Sequence, residues 1–157
     1  MSAMKWLLVM ISFLWMGNLV AQQNKQKSVS VSPPAPLTYV SSWGPVGSGS
    51  ALAAQIAAIA PAAVLVKDNR GESYIVNAFR INYKFRSSYK DDETEQVKFM
   101  NDLRVSDFNN TSQLSTVWAE SIKDNVKAGD TILINKILFK NKTGKLQLAP
   151  DIRIAVK

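Results

Sequence analysis

The sequence predicts an α+β, β-rich fold, with about two helices packed on an antiparallel sheet or a small β-sandwich. Residues 74–86 alternate apolar and polar side chains, which is the pattern of a strand with one buried and one solvent-facing side. Residues 131–157 hold further alternating segments separated by turn residues. Residues 51–60 and 113–126 carry apolar residues at helical spacing, which supplies the two helices.

The first 21 residues have the organisation of a secretory signal peptide. Lys5 supplies the positive charge, residues 6–15 form a nearly continuous apolar run, and Ala21 is the small residue that precedes cleavage. The apolar segment is shorter than the roughly 20 residues that span a bilayer, although retention as an anchor is left open. We therefore expect an exported protein of the periplasm or the outer membrane, with no integral membrane span after cleavage.

Residues 22–36 are expected to form a Pro/Ser-rich tether, because this polar stretch ends in the sequence PPAP and cannot bury apolar area. Residues 37–157 are expected to fold as a single domain. A Gly-rich joint at residues 43–49 lacks the lysine of a phosphate-binding loop, so it is predicted to be a hinge.

The first helix is predicted over residues 51–60, where alanines favour helix and Pro61 ends it. Leu52, Ile56 and Ile59 share one face of it, which is expected to pack on the sheet. A short strand at 62–67 and a turn at 68–71 lead into the long alternating strand. A polar connector at 87–93 precedes a returning strand at 95–105. The side chains expected to share the buried face of the long strand are Ile75, Phe79, Ile81, Tyr83 and Phe85.

The second helix is predicted over residues 113–126, and Gly129 ends it. Its expected buried stripe consists of Leu114, Val117, Trp118 and Ile122. The strand at 131–140 has apolar residues on both faces, so it is expected to be covered on both sides. A turn at 141–144 and a final strand at 152–156 complete the domain.

Composition narrows the chemistry, because the chain contains neither cysteine nor histidine. Disulfides, Cys-based zinc sites, thiol nucleophiles and His-dependent relays are therefore excluded. The carboxylate cluster Asp91, Asp92, Glu93 and Glu95 lies in a polar turn, unlike the separated pair that a glycosidase needs. A carboxylate-dependent hydrolase is the least supported hypothesis, and we expect no catalytic residues, no metal and no cofactor.

The net charge is +7 for the whole chain, and cleavage would lower it to +6 because Lys5 is the one charged residue removed. Nucleic acid is not an expected partner, since the basic residues are scattered. Arg80, Lys84 and Arg86 form a basic row on the solvent-facing side of the long strand. We take these three residues as the candidate partner-binding site, and an ordinary polar face is the alternative.

The order of these features resembles the C-terminal domain of the gliding-motility and type IX secretion protein GldM, called PorM in its secretion-only relatives. The resemblance covers residues 43–157 and rests on the long aromatic strand YIVNAFRINYKFR and the ending AGDTILINKILFKNKTGKLQLAPDIRIAVK. The positions that match the family pattern are Gly129, Asp130, Ile137, Gly144, Leu146, Ile152 and Ile154.

The resemblance implies a β-rich periplasmic domain without enzymatic activity that docks on envelope proteins, such as outer-membrane-associated ring components. The family's membrane helix and upstream domains have no counterpart here, so only the docking surface is expected to carry over. A homodimer is left open. The alternative function is a carbohydrate- or cell-wall-binding module, for which Tyr39, Trp43 and Tyr89 are the candidate stacking rings.

Overall fold

The computed structural model describes residues 36–157. The predicted signal peptide, and the predicted tether apart from Pro36, lie outside these residues. The eight strands are β1 (Tyr39–Trp43), β2 (Gly49–Ala51), β3 (Val64–Asp68), β4 (Ser73–Lys90), β5 (Val97–Asn109), β6 (Thr131–Lys140), β7 (Leu146–Leu148) and β8 (Ile152–Val156). The two helices of this part of the chain are α1 (Ala53–Ile59) and α2 (Thr116–Asn125).

The strands form one curled sheet in the order β1-β3-β4-β6-β8-β2, with β5 added to β4 and β7 added to β6. β2 and β8 run parallel, and the other pairs within residues 36–157 are antiparallel. The predicted β-rich α+β class is confirmed, although the sheet is mixed rather than purely antiparallel.

β4 is the longest strand and connects the two parts of the sheet. Its first residues, Ser73–Ile75, pair with β3, and from Ala78 onward the same edge pairs with β5. The opposite edge pairs with β6 between Val76 and Lys84. The sheet curls around this strand, so that Tyr39 of β1 reaches the ring of Phe139 in β6 at a centroid distance of 4.8 Å.

Two bulges shift the buried face of the central strands. On β4 the bulge lies at Asn77, and on β6 it lies at Lys136, whose φ of 51° is left-handed. Each bulge inserts one residue, so the buried side chains change from even-numbered to odd-numbered positions along both strands. The prediction that Ile75 shares the buried face with Phe79 is therefore wrong, and Ile75 is 78% exposed.

The same bulge explains why β6 has apolar residues of both parities. Ile132 and Ile134 point inward before it, and Ile137 and Phe139 point inward after it. The expectation that β6 is covered on both sides is therefore wrong. One face of the strand is fully buried, and the other carries residues of intermediate exposure.

Both helices contribute to the core, but each exposes a residue that the sequence pattern placed inside. Ile56 of α1 and Ile122 of α2 are fully buried. Leu52 is exposed because it is the N-cap residue that precedes α1 rather than part of the helix. Val117 is 75% exposed, because the buried face of α2 is centred on Ala119 and Ile122.

The predicted hinge at residues 43–49 is a turn whose two end residues belong to the sheet. Trp43 ends β1, and Gly49 begins β2. The indole of Trp43 is fully buried, and its Nε1–H donates to the carbonyl oxygen of Ala62 at 3.0 Å. Burial of so large a side chain fixes the segment against β3, which a flexible joint would not allow.

Two buried Asp–Tyr pairs attach turns to the sheet. The Tyr83 hydroxyl donates to Oδ2 of Asp130 at 2.7 Å, and the Lys127 N–H donates to the same oxygen at 3.0 Å. Burial and the hydrogen bond to Asp130 raise the pKa of Tyr83. This pair therefore holds the α2–β6 connection against the middle of β4.

The second pair is Asp68 with Tyr74, whose hydroxyl donates to Oδ2 at 2.7 Å. Burial raises the pKa of Asp68, but hydrogen bonds from Tyr74 and from the N–H groups of Glu72 and Arg70 outweigh burial and hold this pKa below its ordinary value. The hydrogen bond to Asp68, together with burial, raises the pKa of Tyr74 to about 12. Asp68 thereby closes the β3–β4 turn.

Candidate protein-interaction surface

The side of the sheet that faces away from the helices is uncovered within residues 36–157. We call the part of it on β4, β5, β6 and β8 the outer face. None of its side chains is buried, whereas alternate residues on β4, β6 and β8, such as Ile81, Ile132 and Ile154, are buried. Its members are Arg80, Asn82, Lys84 and Arg86 on β4, Val97, Phe99, Asn101, Leu103, Val105 and Asp107 on β5, Thr131, Leu133 and Asn135 on β6, and Arg153 and Ala155 on β8.

The structure places all three predicted partner-binding residues on this outer face, but they differ in whether an acidic side chain neutralises their charge. Arg80 makes a bidentate ion pair with Asp107, with Nε–Oδ1 and Nη2–Oδ2 distances of 2.6 and 2.7 Å. The Arg80 guanidinium holds the pKa of Asp107 below its usual value. Arg80 is therefore already neutralised within its own sheet.

Lys84 and Arg86 keep their charge available. Within the described part of the chain neither side chain makes an ion pair, and both are exposed. The guanidinium of Arg86 lies over the ring of Phe99, 4.2 Å from its centroid. This contact orders Arg86 without neutralising it, so the basic part of the site is Lys84 with Arg86.

An apolar row on β5, which the sequence analysis did not assign to any site, borders the basic row. Leu103 is the direct cross-strand partner of Lys84, and Val105 is the partner of Asn82. The exposed fractions of Phe99, Leu103 and Val105 are 59%, 63% and 47%. The signal was present in the sequence, because these residues alternate with Lys98, Asp102 and Arg104. What the sequence could not show is which face of β5 lies against the core.

The β4–β5 hairpin extends beyond the rest of the sheet. β6 stops pairing with β4 at Lys84, whereas β5 continues to pair with it as far as Lys90. The residues predicted to be a polar connector, 87–93, therefore begin as strand. Residues 85–90 and 97–102 form a two-stranded extension with Tyr89 and Met100 exposed on it.

The acidic cluster lies at the tip of this extension. Oδ1 of Asp91 accepts hydrogen bonds from the N–H groups of Glu93 and Thr94, and Oδ2 forms an ion pair with Lys98. The ion pair, with the hydrogen bonds from Thr94, lowers the pKa of Asp91 to about 2. Asp91 thus shapes the turn. Within residues 36–157 no three acidic side chains are grouped so that they could hold a metal ion.

The three candidate stacking rings for a carbohydrate are not equivalent. Trp43 is fully buried, and Tyr39 is half-buried against the rings of Tyr74 and Phe139. Tyr89 is 46% exposed at the end of the hairpin. The three rings therefore do not form one platform.

No helix within residues 36–157 has the length and apolar character needed to cross a membrane. Comparison of the chain with protein-family models, with curated proteins and with solved structures gives no match.

Proposed function

We propose that this chain is a non-enzymatic protein-interaction domain of the bacterial envelope, accessory to gliding motility or type IX secretion. It is exported to the periplasm or the outer membrane and binds an envelope protein through the outer face. The observation that carries the proposal is the uncovered outer face, where free basic groups and exposed apolar side chains lie side by side. The resemblance of residues 43–157 to the GldM C-terminal domain is the reason for proposing the gliding-motility or type IX secretion machinery as the place where the chain acts.

The chemistry of the surface indicates the character of the partner. Lys84 and Arg86 favour an acidic surface, while Phe99, Leu103 and Val105 favour apolar contact next to it. Exposed charges are screened by salt, so this binding should weaken as ionic strength rises. The outer-membrane-associated ring components of the secretion machinery are the proposed partners.

The experiment is in-cell crosslinking of a tagged chain in its host, followed by mass spectrometry of the captured proteins. The test variant is Lys84→Glu with Arg86→Glu. Arg80 is left intact, because reversing it would place a carboxylate against Asp107 and disturb the sheet. The matched control is Lys67→Glu with Lys145→Glu, which makes the same charge change at two exposed positions away from the outer face.

We expect the unaltered chain and the control to capture ring components, and the test variant to lose this capture while unfolding at the same temperature. Equal capture by the test variant and the control would contradict the role of the outer face. Absence of ring components from every sample would contradict the proposed role in gliding motility or type IX secretion.

A further inference from the structure

The outer edge of β5 is a second feature of the hairpin, distinct from its faces. β5 spans 13 residues and has β4 as its one neighbour within residues 36–157. The N–H and C=O groups on its other edge are therefore free to pair with another strand. The other edge strands of this part of the chain, β1, β2 and β7, are 5, 3 and 3 residues long.

β5 lacks two of the features that protect long edges from pairing, although it carries charged side chains such as Lys98 and Arg104. It contains no proline, and its register with β4 runs without a shift from Asn109 to Val97. Its exposed apolar residues lie along the same strand. Such an edge is suited to pairing with a further β-strand.

The centre of β5 is complementary in charge to itself when two copies are antiparallel. Leu103 is the central residue of the 13, so a two-fold axis through Leu103 pairs the strand over its whole length. In this register Asp102 of each copy lies opposite Arg104 of the other. Moving the axis by one residue in either direction would place Asp102 opposite Asp102, or Arg104 opposite Arg104, which is unfavourable.

The surroundings of Arg104 add a second observation. Its Nη1 donates to Oγ of Ser121 at 2.9 Å, which attaches this side chain of β5 to α2. A groove of about 300 Å³ follows the edge at this point, lined by Arg104, Val105, Val117, Trp118 and Ser121. A neighbouring strand on β5 would lie beside this groove, one wall of which is the 75% exposed side chain of Val117.

We propose that two copies of this chain associate through their β5 edges, antiparallel and two-fold symmetric about Leu103, so that two sheets become one. The pairing uses the backbone edge and does not depend on the proposed function. Its consequence is that the outer faces of both copies become continuous. A partner with two binding points would then be held with avidity.

A cysteine-crosslinking experiment tests the geometry directly, because the chain has no cysteine of its own. Across a two-fold axis at Leu103, the two copies of that residue are about 4.5–5.5 Å apart at Cα, within the range of a disulfide. Leu103→Cys should therefore form a disulfide-linked dimer under mild oxidation. Val97→Cys is the control, because its two copies would be on the order of 40 Å apart. Crosslinking of both variants, or of neither, would overturn the proposal.

A charge exchange tests the register. Asp102→Arg alone and Arg104→Asp alone each place like charges opposite each other twice. Each should raise the dimer Kd, measured by sedimentation equilibrium, at least about tenfold. Asp102→Arg combined with Arg104→Asp should restore the Kd.

A chain that is monomeric at all accessible concentrations, or a Kd that the single exchanges leave unchanged, would contradict the pairing. Lys84→Glu with Arg86→Glu should leave the Kd unaltered, which separates this proposal from the proposed function.

Discussion

The hydrogen bond from Tyr83 to Asp130 offers a sharp test of how the fold is held together. The substitution Tyr83→Phe removes one hydroxyl oxygen and keeps the ring that packs in the core. Asp130 is 1% exposed, and its Oδ1 has no hydrogen-bond partner within the described residues. After the substitution, this buried carboxyl group keeps the Lys127 N–H as its one donor.

The expected loss follows from the cost of leaving a buried polar group without its hydrogen-bond partner, which is about 1–3 kcal/mol. We therefore expect Tyr83→Phe to lower the free energy of unfolding by about 2 kcal/mol. For a domain of this size, that corresponds to a decrease in Tm of roughly 6–12 °C. Urea unfolding followed by tryptophan fluorescence measures the change, and the slope m should stay constant.

Tyr39→Phe is the matched control. Its ring packs against Tyr74 and Phe139, but its hydroxyl makes no side-chain hydrogen bond within residues 36–157. We expect the control to change the free energy of unfolding by less than about 0.5 kcal/mol. An equal loss in both variants, or no loss for Tyr83→Phe, would refute the role assigned to the Tyr83–Asp130 pair.

Three further predictions concern the backbone and the alkaline range. Lys136 has a left-handed φ of 51°, which a β-branched residue adopts poorly and glycine adopts freely. The free energy of unfolding in urea should therefore fall by at least about 1 kcal/mol in Lys136→Val and should not fall in Lys136→Gly. Equal stability of the two variants would be evidence against the bulge. Gly44 has a φ of 54°, and an added Cβ would lie 3.1 Å from Cβ of Ala62, so Gly44→Ala should cost about 1–2 kcal/mol, whereas Gly47→Ala, with open space around it, should cost nothing. Because folding raises the pKa of Tyr74 from 10.0 to about 12, its contribution to stability is complete below pH 10 and is lost as the pH rises towards 12. Tyr74→Phe should flatten the fall in stability over that range, and parallel curves for the two proteins would disprove the assignment.

Much of the fold was readable from the sequence, because hydrophobic periodicity is a local property. The strand predicted at residues 131–140 has the observed bounds of β6, and the final strand at 152–156 matches β8. The second helix was placed correctly, although it is shorter than predicted. In each case the residue types and their spacing favour one structure without help from distant parts of the chain.

The errors arise where distant contacts decide the outcome. The bulges at Asn77 and Lys136 compensate each other across the β4–β6 pair, and neither strand alone shows that its parity changes. β1 and β2 were missed because their sequences, YVSSW and GSA, carry weak strand signals and are fixed by pairing with β3 and β8. Tertiary pairing overrides weak local preference in both segments.

The candidate site was predictable in part. Alternation placed Arg80, Lys84 and Arg86 on one side of β4, and the structure keeps them on one face. The sequence could not show that Asp107 lies opposite Arg80 and neutralises it, because that pairing depends on the register of β5. The apolar neighbours of Lys84 and Arg86 depend on the same register.

The central claim is that the outer face beside β5 contacts a protein partner, and site-specific photocrosslinking tests it most directly. A photoreactive amino acid is placed at Phe99, on the outer face, and in a second variant at Leu52, which is exposed just beyond β2 at the far side of the sheet. The account predicts that irradiated cells yield an adduct with an outer-membrane-associated ring component from position 99 and none from position 52. An adduct from position 52 alone, or the same partner from both positions, would contradict it.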